Sequence, residues 1–326
     1  MEKICRKCHS PVSGDVCPAC GYGSDRRIGL AALAAGTVLD GRYVIEDVIG
    51  SGGFGIIYLA YDKASERKVA VKEFCPKGIA IRGIDKVSVE PIASFYSGDF
   101  QAGAEKFRNE AEILSQLDDN ENVIKMYGIF MQNGTIYYAM EYVCGITISQ
   151  YTSKHGKISE GQALHMAKCI ASVFEHIHSK NIIHRDLSPN NIVLDTDGKV
   201  RLVDFGNARP FFKGGKNSMT VALKPGYAPL EQYQHHGDHG PWTDIYSLGT
   251  VLYYALTLKN PREPITRLDN DMEFQDGLSL VDPRLSAAIN KMAAVRISER
   301  YSCCSELLAD LESVQIKPQE FKVTAI

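Results

Sequence analysis

Three side chains near the middle of the chain, Asp186, Asn191 and Asp204, have the types and spacing of a metal–phosphate site. Asp186 lies in His184-Arg185-Asp186-Leu187-Ser188-Pro189-Asn190-Asn191, and Asp204 opens Asp204-Phe205-Gly206. One carboxylate can take a proton from a hydroxyl, while the Asn amide oxygen and the second carboxylate can hold Mg²⁺ against a polyphosphate. Two glycine- and lysine-bearing stretches upstream could grip the same phosphates. Gly50-Ser51-Gly52-Gly53-Phe54-Gly55 lacks bulky side chains except Phe54, so its backbone N–H groups can close on phosphate oxygens. In Lys68-Val69-Ala70-Val71-Lys72-Glu73, Lys72 interrupts an apolar face. A snorkelling lysine at a strand end is the bland account; with the glycine stretch just upstream, a phosphate-gripping ammonium is preferred.

These groups need elements to place them. Between Asn191 and Asp204, Ile192 to Val203 reads as two short β-branched strands around an Asp-Gly turn, a hairpin that sets the distance between the acidic groups. Tyr43–Ile49 and Ile56–Ala60 read as strands on either side of the glycines, which fits a flap between strands and not a dinucleotide turn opening a helix. Lys68–Glu73 is a third strand. Phe107, Ala111, Leu114 and Leu117 fall at helical spacing over 105–117. A hairpin around Asn133-Gly134 joins strands over 123–130 and 135–143. Ser159-Glu160-Gly161-Gln162 is a capping-box signature that starts a helix with a Leu164, Ala167, Ile170, Ala171, Phe174, Ile177 stripe. His165, His176 and His178 read as ordinary residues of that helix, and His235, His236 and His239 as part of a polar loop.

Cys5-Arg6-Lys7-Cys8 and Cys17-Pro18-Ala19-Cys20 form two hooks joined by a short polar loop, which suits tetrahedral thiolate coordination of Zn²⁺. Redox-active dithiols and an iron site are the rival readings. So small a segment has almost no core, so a metal would supply its folding energy. A closed site leaves no coordination position for chemistry, and its role would be structural or docking. The segment looks like a zinc ribbon. The other five cysteines (Cys75, Cys144, Cys169, Cys303, Cys304) lie in apolar contexts and read as buried free thiols.

The 326 residues, 44% hydrophobic, suffice for one or two domains with a sizeable core. A net charge of −3 argues against nucleic-acid binding by bulk charge. No apolar run reaches the roughly 18–20 residues that span a bilayer, and the expected compartment is the cytoplasm.

Taken in order, the motifs over about 40–316 resemble the protein kinase family, specifically the eukaryotic-like serine/threonine kinases of bacteria. The resemblance implies an α+β, bilobal kinase fold. A small β-rich lobe would cover 40–141 and a larger helical lobe 145–316, after a ribbon at 1–27 and a linker at 28–39 and before a tail at 317–326. It implies ATP with Mg²⁺ or Mn²⁺ as cofactors and a protein substrate, with the ribbon available to a protein partner. Asp186 would be the catalytic base, Lys72 would hold the α- and β-phosphates, and Glu110 would hold Lys72. Glu112 is the alternative to Glu110, but it lies about 200° around the helix and faces elsewhere. Asn191 and Asp204 would bind Mg²⁺. Ile49, Gly50, Gly52, Gly53, Phe54 and Gly55 would cover the nucleotide. Ile57, Ala70 and Val193 would sandwich adenine, Met140 would line the back of its pocket, and the backbones of Glu141 and Val143 would hydrogen-bond to it. Phe74–Gly103 is longer than the family's usual connection and resembles an insertion in some bacterial kinases.

Asp204 to Glu231 resembles an activation segment, with Thr220 where the family carries an activating phosphate and Ser218 as second choice; Arg185 would pair with that phosphate. Glu231 should pair with Arg300, and Asp244 should hydrogen-bond the backbone near His184. Two positions depart from the pattern. Ser188 stands where the family has Lys, and Lys224 stands where it has Thr. The two changes compensate if Lys224 carries its ammonium into the place Ser188 leaves empty. The expected activity is phosphoryl transfer from ATP to Ser or Thr hydroxyls. A nucleotide-binding pseudokinase scaffold docking through the ribbon is the alternative, and a small-molecule kinase is a third.

Overall fold

The computed structural model describes residues 3–4, 11–12, 31–117, 119–211, 223–234 and 237–323. Cys5, Cys8, Cys17 and Cys20, and with them the zinc expectation, lie outside the described residues, as do Ser218, Thr220, His235 and His236. The chain divides into two compact units. One holds residues up to 118 with 124–143, and the other 119–123 with 144 onward.

In the first unit, the two-residue strands β1 (Lys3–Ile4) and β2 (Pro11–Val12) pair with each other. A six-stranded antiparallel sheet follows from β3 (Val38–Leu39), β4 (Tyr43–Ser51), β5 (Gly55–Asp62) and β6 (Arg67–Phe74). Then come a small hairpin, β7 (Ala80–Arg82) and β8 (Val89–Pro91), the helix α1 (Ser97–Ser115), and β9 (Met126–Gln132) and β10 (Thr135–Glu141), which complete the sheet in the order β3-β4-β5-β6-β10-β9. Cross-strand partners share a face, and alternate residues change face. One face, with Ile56, Tyr58, Val69, Val71, Tyr137 and Ala139, is the apolar core of the unit. Leu33 and Leu39 are buried in that core, so residues 31–39 of the expected linker pack onto the sheet. The β9–β10 turn has Asn133 and Gly134 both at positive φ, the two-residue geometry an Asn-Gly pair favours.

Two local expectations shift. The predicted helix at 105–117 begins eight residues earlier, at Ser97, because Phe100 packs on Phe74 with ring centroids 5.2 Å apart and gives a Ser/Gly-rich turn an apolar anchor. The strand expected over 123–130 runs over Met126–Gln132.

The second unit begins with β11 (Gly145–Thr147), α2 (Ile148–His155) and α3 (Glu160–Ser179). Ser159 and Gln162 cap α3 reciprocally, as the sequence signature requires. Next are β12 (Ile182–Ile183), β13 (Ile192–Asp195), β14 (Val200–Leu202) and β15 (Arg209–Pro210). Among the described residues, five further α-helices follow in this unit. They comprise α4 (Pro241–Thr257), apolar nearly all round and correspondingly buried, α5 (Pro264–Arg267), α6 (Met272–Gly277), α7 (Pro283–Met292) and α8 (Cys304–Glu312). The segment after α8 docks through Gln319, whose N–H donates to Gly161 O at 3.0 Å, and through Phe321, buried against the Tyr151 ring. The five described cysteines are free, but only Cys75 and Cys304 are buried as expected; Cys169 is half-buried, and Cys144, before the exposed start of β11, and Cys303, which caps α8, are exposed.

Candidate active site

The site residues fall into two groups, one in each unit. In the first unit, strand alternation on β6 turns Ala70 and Lys72 to the face away from the apolar core. Their cross-strand partners are Leu59 and Ile57 on β5 and Met140 and Tyr138 on β10. Four expected nucleotide contacts, Ile57, Ala70, Lys72 and Met140, therefore share one sheet face. Lys72 Nζ lies 2.7 Å from Glu110 Oε1, and Tyr138 donates its hydroxyl to the same oxygen at 2.8 Å. Glu110 is buried on α1, whereas Glu112 is exposed, which resolves the choice between them. Glu141 N–H is committed to Lys125 O at 2.8 Å.

The glycine flap is bounded by β4 and β5. Gly52 N donates to Gly55 O, and the carbonyls of Gly53 and Phe54 accept from Lys77 N and Cys75 N. A Cβ on Gly55 would sit 1.9 Å from Glu73 O, so this close strand approach requires glycine. Phe54 at the tip is 58% exposed.

Glu73, next to Lys72, points the other way, into the core. Arg82 from the β7–β8 hairpin binds both of its carboxylate oxygens, and Tyr58 and Tyr137 donate hydroxyls to it. Burial, and then the Glu73 charge, push both phenols up, so they stay protonated donors. Arg82 also reaches Ala31 O and Val87 O, both at 2.8 Å. Sequence reasoning missed this pair. A charged residue on the core-facing phase of a buried strand was the available signal, since such a group needs a counter-ion.

In the second unit, Ile192 pairs with Leu202 across the β13–β14 hairpin, and Val203 N donates to Asn191 O at 2.9 Å. The hairpin thus brings Asn191 beside the residue preceding Asp204. Asn191 Nδ2 donates to Asp186 O at 2.7 Å, and Asp204 Oδ1 accepts from Gly206 N at 3.2 Å. Val193 lies on β13, half-buried.

The Asp186 carboxylate is held from two sides. Lys224 Nζ is 2.9 Å from Oδ1 and 3.1 Å from Ser188 Oγ, and Asn207 Nδ2 donates to Oδ2 at 3.1 Å. The structure therefore brings Lys224, Ser188 and Asp186 together, and adds Asn207, which sequence reading did not single out.

The loop beneath is fixed by Asp244 at the start of α4. Its oxygens accept from His184 N (2.9 Å), Arg185 N (2.7 Å) and His178 Nε2 (2.8 Å). Burial pushes this carboxyl up, but the hydrogen bond from His178 and the other donors hold it below the usual carboxylate range. His178, ordinary by sequence, is thus part of the support. Arg185 and Asp204 both have positive φ, at 66° and 69°, a conformation that needs such outside constraint. Glu231 and Arg300 form the expected pair, with Arg300 Nη1 2.7 Å from Glu231 Oε1.

A family model described as "Protein kinase domain" matches residues 43–311. Serine/threonine-protein kinase PknA of Nostoc sp. (strain PCC 7120 / SAG 25.82 / UTEX 2576) is 32% identical over 286 residues, covering 84% of this chain and 48% of that protein. Serine/threonine-protein kinase D of Synechocystis sp. (strain ATCC 27184 / PCC 6803 / Kazusa) is 31% identical over 288 residues, covering 85% and 53%. Serine/threonine-protein kinase PrkC of Bacillus subtilis (strain 168) is 30% identical over 229 residues, covering 70% and 32%. The chain spans about half the length, or less, of these curated relatives. Among solved structures, the chain titled "PpkA-294 apo form" superposes with a TM-score of 0.75 at 28% identity, covering 86% of this chain and 99% of that one. With the family match running from β4 into α8 and the site geometry agreeing with it, this chain belongs to the protein kinase domain family.

Proposed function

We propose that the chain is an ATP-dependent protein kinase acting on serine and threonine hydroxyls of a protein substrate. The observation that carries this reading is the Asp186 carboxylate, held at both oxygens on a loop whose backbone is tied down by Asp244. A carboxylate fixed in this way can orient a hydroxyl and accept its proton as the hydroxyl oxygen bonds to the γ-phosphorus and ADP departs with the bridging oxygen's electron pair. Lys72, steadied by Glu110, suits the α- and β-phosphates. The names of the relatives support the Ser/Thr assignment.

The donor set suits Mg²⁺. Asn191 uses its amide nitrogen on Asp186 O, which turns its oxygen to ligand use, and Asp204 is an exposed carboxylate one position beyond the paired hairpin. Bound there, Mg²⁺ would supply charge neutralisation between the phosphates. In the same reading Lys224 stands in for the lysine absent at Ser188, contacting both Asp186 and the γ-phosphate. Phosphorylation of Thr220, paired with Arg185, activates the enzyme. The cysteine hooks at Cys5, Cys8, Cys17 and Cys20 form a structural Zn²⁺ ribbon that docks a protein partner, supported by their spacing; metal analysis of the purified chain against a Cys17→Ser variant tests this. Autophosphorylation with Mg-ATP tests the main reading: the parent incorporates phosphate and Asp186→Asn does not. ADP binding without phosphate incorporation by the parent would favour the pseudokinase alternative.

A further inference from the structure

Asp186 has a second holder besides Lys224. We infer that Asn207 is a positioning residue that fixes the rotation of the Asp186 carboxylate by donating its side-chain amide to Oδ2; this rests on the reading of Asp186 as the base. Three observations lead there. The contact, Nδ2 to Oδ2 at 3.1 Å, has only one polarity, because a carboxylate accepts and only the amide nitrogen of Asn207 can donate. The two holds fall on different oxygens, with Lys224 at Oδ1. The torsion that turns a carboxylate about its Cβ–Cγ bond is broad and weakly restrained, so a single donor lets it swing. Donors on both oxygens pin it and leave the remaining lone pairs aimed in one direction.

Asn207 is itself preorganised. It sits inside a turn closed by Ala208 N donating to Phe205 O at 2.9 Å. Phe205 and Ala208 on either side are fully buried. The Phe205 ring meets the His184 ring edge-on at 4.9 Å, which docks the turn on the loop carrying Asp186. Arg209 donates to the carbonyls of Gly206 (3.4 Å) and Ala208 (2.6 Å), closing the turn from outside. The side chain that reaches Asp186 therefore stands on a rigid base, as a positioning group must.

The experiment is a three-variant series on the full chain, measuring the autophosphorylation rate with Mg-ATP, its half-saturating ATP concentration and thermal melting. Asn207→Leu has the same shape without the donor, Asn207→Asp replaces the donor by an acceptor, and Asn207→His restores an N–H at similar reach. A hydrogen bond to a charged group predicts a loss of about 10- to 100-fold in rate for Leu, at least as much for Asp, and a rate within about 5-fold of the parent for His. The half-saturating ATP concentration and the melting temperature stay at the parent's values throughout, which a purely structural role would not produce. A Leu variant within about twofold of the parent overturns the inference, as does a His variant that falls as far as Leu. Asp186→Asn runs beside the series. If it stays active, the base assignment fails and this inference with it; if it is dead while Asn207→Leu is active, only the inference fails.

Discussion

Replacing Lys224 by alanine removes an ammonium 2.9 Å from Asp186 Oδ1 and 3.1 Å from Ser188 Oγ. A charge-assisted contact of this length contributes about 1.5–3 kcal/mol, or roughly 10- to 150-fold in kcat if it acts in the transition state. The Lys224 side chain is 36% exposed, and solvent screening pulls the expectation toward the lower end, about 10-fold. The assay is steady-state phosphorylation with ATP varied, so that kcat and the KM for ATP separate; the loss falls on kcat, with KM for ATP nearly unchanged. The double variant Ser188→Lys with Lys224→Thr restores the arrangement usual in the family and should recover most of the lost rate. A Lys224→Ala enzyme with kcat within about twofold of the parent would refute the compensation argument, whatever the double variant does.

Two further predictions concern stability. Arg82→Met leaves the Glu73 carboxylate buried without its cation, and should lower unfolding free energy by about 3–5 kcal/mol, read as a shifted urea midpoint at constant m; Arg82→Met combined with Glu73→Gln should recover part of that loss. Burial, and then the nearby Arg185 charge, hold the His239 imidazole down at about 4 from an ordinary 6.5. Between those pH values the unfolded chain binds more protons than the folded one, so stability falls as pH drops from about 6.5 to about 4 and the contribution levels off below. His239→Leu should flatten that slope in melting temperature against pH; an unchanged slope would assign it to other groups.

The parts of the site legible in the sequence are those encoded within a few residues. The Asp186–Asn191 loop, the Ile192–Val203 hairpin and the Gly50–Gly55 flap each carry their geometry locally, through turn residues and β-branched runs. The Lys224–Ser188 contact was legible for a different reason: two departures from one pattern pointed at each other. What stayed hidden depends on tertiary context. The first turns of α1 carry Ser97, Gly98 and Asp99, with no apolar period, and are helical because Phe100 finds Phe74. Asn207 gives no sign in its type, since an asparagine after Asp-Phe-Gly could as well face solvent. His178 and Asp244 are 66 residues apart and meet only when α3 packs near the start of α4.

The β7–β8 hairpin supplies, through Arg82, the counter-ion of Glu73 and is not spare loop. Trimming it to the length usual elsewhere would strand an acidic group directly beside Lys72, on a strand where any slip of one position exchanges the two. Shortened versions of this chain, natural or engineered, would therefore have to lose the charge at 73 and the hairpin together. Losing only one of the two would leave a buried charge without its partner, so an acidic residue at 73 and the Arg82 hairpin should occur together or be absent together.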